Sequence, residues 1–144
     1  MVTNWDESPR SGYFLGLSDT TNNKVKAGLG FDTDGSYYLL ESSSVLSNDQ
    51  WYLLTFTYDG SVGRLYLNGA QDNSSSNSTN PRYLATNRLR IGSLYYSHCC
   101  TTQYFNGLVD EVRVSTVARS ADWIATEFSN QNNSSTFYSI GPAQ

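Results

Sequence analysis

Apolar and polar positions alternate along most of the chain, the period of a strand with one buried face. The clearest stretch is residues 25–31 (VKAGLGF), where Val25, Ala27, Leu29 and Phe31 fall on one side and Lys26, Gly28 and Gly30 on the other. A short apolar run at 12–17 (GYFLGL) precedes it, and SYYLLE follows after Asp32-Thr33-Asp34-Gly35, a turn signal that makes a hairpin. Residues 51–58 (WYLLTFTY) are β-branched and aromatic with both faces apolar, which predicts a central strand covered on both sides. The turn DGSVG leads to RLYLNG, closed by Asn68-Gly69. Residues 72–80 (DNSSSNSTN) read as an exposed, mobile polar loop before Pro81. Strands resume at RLRIGSLYY and FNGLVDEVRV, and after a second polar stretch, SNQNNSST, at FYSIG.

One helix is predicted, over residues 120–128. Ser120 can cap it, Asp122 suits the positive end of its dipole, and Ala121, Ile124 and Phe128 share a face. Many short strands, glycine-rich turns and one short helix predict an all-β fold of two packed antiparallel sheets in a single domain spanning 1–144.

Composition narrows the function. Nine Lys and Arg against thirteen Asp and Glu give a net charge of −4, which argues against nucleic acid as a partner. No apolar run approaches the ~20 residues of a membrane helix, so membrane insertion is not expected. The aromatic share of 14% and low charge of 15% suit a packed β protein rather than a disordered chain.

The segments WYLLTFTYDGSVGRLYLNG, LRIGS and YFNGLVDEVRVSTVARSADWIATEF, followed by FYSIG, resemble a laminin-G-like domain of the concanavalin A-like lectin/glucanase superfamily. The resemblance implies an antiparallel two-sheet jelly-roll sandwich in an extracellular or cell-surface protein. It also implies roles in carbohydrate binding, adhesion or structural assembly. Members usually carry several further strands (roughly fifty residues at ordinary strand and turn lengths) before the part that residues 1–20 resemble, so an open sheet edge is expected here. Such an edge is a template for strand addition and hence for a homo-oligomer.

Candidate chemistry is sparse. In LVDEVRV, strict alternation places Asp110 on the inward face with Leu108, Val112 and Val114, where a carboxylate must be hydrogen-bonded, paired or bound to a cation. Glu111 and Arg113 point outward as an exposed pair. Asp32 and Asp34 resemble the opening of a calcium loop, although the bidentate Glu of such a loop is missing and a plain turn accounts for them. Members of the resembled family often hold calcium; no other cofactor is implied.

Glycoside hydrolysis needs two carboxylates flanking one bond, and no alternating Glu-x-Asp-x-x-Glu array occurs, so the chain reads as a non-enzyme. Cys99 and Cys100 are adjacent, with Cα atoms ~3.8 Å apart, short of the ordinary disulfide span. A strained vicinal ring, free thiols and an intermolecular pair all remain open. With His98 and the flanking Tyr95, Tyr96 and Tyr104, these cysteines form the candidate binding patch, because aromatic rings with polar tips stack on sugars. In the pair Tyr37-Tyr38 one ring must point inward. Asn73, Asn77, Asn132 and Asn133 head Asn-x-Ser/Thr triplets. The expectation is a non-catalytic carbohydrate-binding or adhesion module whose partner is a glycan or surface polysaccharide. A self-assembling structural subunit is the alternative, and a glycan hydrolase ranks last.

Overall fold

The computed structural model describes residues 1–7, 10–17, 22–31, 37–78, 80–96 and 101–133. Its larger sheet has five antiparallel strands in the order β4-β3-β2-β1-β8. They are β1 (Val2–Glu7), β2 (Arg10–Leu17), β3 (Val25–Gly30), β4 (Tyr37–Glu41) and β8 (Arg90–Ile91). A three-stranded sheet holds β5 (Leu54–Tyr58), β6 (Val62–Leu67) and β7 (Ala70–Ser76) in sequence order. A hairpin of β9 (Ser93–Tyr96) and β10 (Thr101–Tyr104) completes the strands, and α1 (Ala121–Asn132) follows.

The two larger sheets stack as a sandwich around the predicted face of β3. Val25, Ala27, Leu29 and Phe31 are buried with Tyr38 and Leu40 of β4 and Leu65 of β6. Tyr13, Leu15 and Leu17 from β2 pack onto this core, as do Leu54, Phe56 and Tyr58 from β5. Tyr38 also ties the layers together, since its hydroxyl donates to the Ser75 carbonyl of β7 at 3.0 Å. Burial pushes that hydroxyl's pKa upward. The Tyr38 ring needs the space above Gly63, where an added Cβ would lie 2.5 Å from its hydroxyl oxygen.

Turns follow the residue types that permit them. Asn68 and Gly69 both take positive φ, 49° and 82°, the conformation of a tight two-residue hairpin turn, and join β6 to β7. The turn before β6 is fixed by Asp59, whose carboxylate accepts from the amides of Ser61 and Val62 and from Arg64. The Arg64 hydrogen bond, then the two amides, hold the Asp59 pKa down at about 2. Helix α1 begins as its sequence dictates. Ser120 Oγ accepts from the Trp123 amide at 3.2 Å, Asp122 lies in the first turn, and Ile124 is buried. Ala125 and Phe128 rest on the Asn68-Gly69 turn, where a Cβ on Gly69 would meet both.

Four expectations are corrected. Among the described residues WYLLTFTY is not a central strand: its ladder starts at Leu54, and β5 is the outer strand of the smaller sheet, paired there with β6 alone. The polar run from residue 72 is largely strand, because the tight turn at Asn68-Gly69 brings β7 back along β6 and the backbone ladder forms without apolar side chains. Its side chains then serve as links, with Asp72 accepting from the amides of Ser43 and Ser44 and Asn73 Nδ2 donating to the Glu41 carbonyl. Helix α1 runs past residue 128 to Asn132 and takes in part of the second polar stretch.

The largest correction concerns GLVDEVRV. Residues 105–120 form no strand, Leu108 is 78% exposed and Asp110 is exposed. Asp110 therefore faces no core and meets no demand for a buried partner. Its Oδ1 accepts from the very next amide, that of Glu111, and Glu111 takes a positive φ of 51°. A local side-chain bond of this kind competes with a ladder, and the left-handed residue interrupts the alternation. The exposed pair is observed, with Arg113 Nη2 2.8 Å from Glu111 Oε2. The terminal FYSIG segment lies outside the described residues.

Candidate functional site: an aromatic trough on the outer face of the larger sheet

The second face of the five-stranded sheet carries a concavity lined by aromatic rings. Register sets it up. Trp5 of β1 pairs with Gly12 of β2, and Tyr37 of β4 pairs with Gly30 of β3. One position along, Thr3 pairs with Phe14, Phe14 with Gly28, and Gly28 with Leu39. The inner strands thus present glycines where the outer strands present rings. With no side chains between them, Trp5 and Tyr37 lean together to a centroid separation of 6.3 Å, edge to face. Phe14 lies across Gly28, whose missing Cβ would collide with its ring, and meets Trp5 edge-on at 5.3 Å.

Cationic groups rim these rings. The Arg10 guanidinium sits 4.3 Å from the Tyr37 ring centre, a cation–π contact. Lys26 lines the floor and lies 3.9 Å from Glu41, which Lys24 also approaches to 3.8 Å. The opposite wall is the β9–β10 hairpin, through Leu94 and Gln103, which face each other in its register. Thr3 Oγ1 donates to the Ser93 carbonyl at 3.0 Å, and the Gly92 amide donates to the Met1 carbonyl at 2.8 Å, so the hairpin is fastened to β1. The volume of this open trough is about 190 Å³. Trp5 is buried, while Tyr37 remains 44% exposed and is the ring a ligand would meet first.

Three residues of the patch predicted from sequence lie on this hairpin. Tyr95 and Tyr96 are in β9, paired with Thr102 and Thr101, and Tyr104 in β10 is 79% exposed. His98, Cys99 and Cys100 lie outside the described residues, as do Asp32 and Asp34. Asp110 is in the exposed segment and joins neither the trough nor the patch. Among the described residues no three His, Cys, Asp or Glu side chains cluster as a metal site, and no helix is long and apolar enough to cross a membrane.

Sequence reasoning placed Lys26, Gly28 and Gly30 on one face but did not see what they served. The usable signal was two glycines at strand spacing on the face opposite a buried row. Trp5 on β1 and Arg10 and Phe14 on β2 were missed because neither strand alternates cleanly, and the β1–β2 register brings them to one face.

Comparison with known proteins supplies the family. The sequence pattern of the Laminin_G_3 family, described as the concanavalin A-like lectin/glucanases superfamily, matches residues 2–125. The chain belongs to this family. A crystal structure similar to this laminin-G-like domain is that of an S-layer domain-containing protein (residues 221–444) from Clostridium thermocellum ATCC 27405. The two share 24% identity at a TM-score of 0.47, over 80% of this chain and 61% of that one. The laminin-G-like chain thus spans about three fifths of the solved chain it resembles. No curated protein matches it significantly.

Proposed function

We propose that this laminin-G-like domain is a non-catalytic module of an extracellular or cell-surface protein that holds a glycan of a surface polysaccharide in the trough. The observation that carries the reading is the Trp5–Tyr37 pair converging over glycines, with Phe14 beside it and Arg10 on the outer ring. Sugar C–H faces stack on such rings, and a guanidinium or ammonium donates to ring hydroxyls. Among the described residues those lining the trough include no Asp or Glu, and Glu41 nearby is held by two lysines. Those residues therefore do not assemble the two carboxylates flanking a bond that glycoside hydrolysis requires. The reading uses no calcium.

Screening the protein on a polysaccharide panel, then repeating the pull-down with Tyr37→Ala, tests this directly. Losing a stacking ring worth ~1–2 kcal/mol should weaken binding about tenfold while the melting temperature holds. Retention of no polysaccharide by the wild type, or equal retention by the variant, would sink the trough reading.

A second reading, a self-assembling subunit, is favoured by a different observation. Leu108, Val114 and Val117 are exposed on a segment with a strand-like sequence and no ladder, while β5 is laddered on one side only among the described residues. Exposed apolar strand segments and open edges are templates for pairing with a second copy. Multi-angle light scattering should then show dimers or larger species at micromolar concentration. A clean monomer removes this reading.

A further inference from the structure

Helix α1 carries a second concavity, remote in sequence from the trough. Trp123, Thr126, Glu127, Asn130 and Gln131 follow a spacing of three, one, three and one, which puts them on one stripe of the helix. Together with Arg113 from the preceding segment they line a groove of about 230 Å³. The opposite side of α1 is used for docking, through Ile124 and through Ala125 and Phe128 on the Asn68-Gly69 turn. The groove stripe faces away from that docking side.

Three features of the groove define what it would accept. Trp123 offers a large ring, 41% exposed, with the Arg119 guanidinium 4.9 Å from its centre. Arg113 is bonded to both Glu111 and Glu127, so the two guanidinium charges around the groove, those of Arg113 and Arg119, are matched in number by two carboxylates. Asn130 Oδ1 is buried without a hydrogen-bond partner among the described residues. A buried acceptor left unmet is unfavourable, and a donor that reaches it recovers that loss. Thr126 donates its hydroxyl to the Asp122 carbonyl and keeps lone pairs for a further donor.

An exposed ring, a charge-balanced rim and acceptors in need of donors suit one ligand chemistry, a neutral and hydroxyl-rich ring. We propose that the groove along α1 is a second saccharide site, selective for an uncharged hexose unit that stacks on Trp123 and donates a hydroxyl to Asn130. The site stands apart from the trough and does not depend on it.

The test molecule is the full chain carrying Tyr37→Ala, in which the trough's outer ring is gone. It is applied to an array of neutral glucose, galactose and mannose oligomers with uronic-acid oligomers alongside, and the hits are titrated by calorimetry. Binding to a neutral oligomer is expected. Adding Trp123→Ala should weaken it at least tenfold, and adding Asn130→Ala about three- to tenfold, as for loss of one neutral hydrogen bond. Trp123→Phe should restore part of the loss, and far-UV circular dichroism should report an intact fold throughout. Three results would overturn the proposal: no neutral oligomer retained, binding confined to the uronic-acid series, or binding unchanged by Trp123→Ala in a folded protein.

Discussion

Leu65→Ala is expected to lower the stability of the domain by about 3 kcal/mol, within the range for emptying a buried leucine site. Leu65 sits in β6, the middle strand of the smaller sheet, and is 0% exposed. It is the member of the buried core that the smaller sheet contributes against Val25, Ala27, Leu29, Phe31, Tyr38 and Leu40 of the larger sheet side. Strands flank it on both sides, β5 at Phe56 and β7 at Asn73, so neighbouring backbone cannot collapse into the cavity. For a domain of this size the loss corresponds to a melting temperature lower by roughly 6–12 °C. Leu67→Ala, two positions along and only partly buried, is the comparison and should cost distinctly less. Scanning calorimetry on both variants decides it. Equal shifts, or a Leu65→Ala shift under ~3 °C, would mean that the two sheets do not meet where β6 crosses β3.

The part of this core legible in the sequence was the part written by alternation. Val25, Ala27, Leu29 and Phe31 could be assigned to one face because each neighbour was polar or glycine, whereas the inward choice between Tyr37 and Tyr38 stayed open until the β3–β4 register placed Tyr38 opposite Leu29. Helix α1 announced itself through Ser120 and Asp122, although its end did not, since Ser129, Asn130 and Asn132 have weak helix preference and Gln131 alone does not offset them. The β6–β7 turn was legible because Asn68-Gly69 is chemically suited to positive φ.

What the sequence concealed was partnership. Apolar character on both faces of WYLLTFTY says that the strand tolerates burial, yet nothing in it names the neighbour, and β5 takes one partner only among the described residues. Residues 72–76 lack apolar side chains and still ladder, because hydrogen bonds between strands are made by backbone that every residue carries. GLVDEVRV shows the reverse case. Its pattern is that of a half-buried strand, but alternation expresses itself only against a surface, and a side-chain bond from Asp110 to the Glu111 amide suffices to bend it away. The trough was hidden for the same reason: Trp5, Phe14 and Tyr37 lie on three strands, and their meeting is a property of register.

That dependence on register makes Gly12 the most sensitive position outside the core. Gly12→Ala should cost at least about 3 kcal/mol and abolish binding in the trough, although Gly12 itself contributes no ring or charge. Two effects add. Gly12 has a φ of +85°, where an L side chain is strained, and a Cβ there would overlap the carbonyl oxygen of Asn4 on the adjacent strand. The colliding atom is backbone, so no rotamer change relieves it; β1 itself must move. Asn87 closes the other way out, with its Nδ2 2.8 Å from the added carbon. Displacing β1 carries away Trp5, the partner of Gly12 in the ladder, and loosens the hairpin that Thr3 and Met1 fasten. Gly60 provides the control. It too has positive φ, +93°, but nothing lies within 4 Å of its added Cβ, so Gly60→Ala should cost only the conformational ~1–2 kcal/mol and leave binding intact. Hydrogen exchange read strand by strand should show β1 amides of Gly12→Ala exchanging far faster, with β5 and β6 changed much less. If instead Gly12→Ala melts like Gly60→Ala and retains the same polysaccharide, β1 is not held against β2 in this register, and the trough is not the surface that binds.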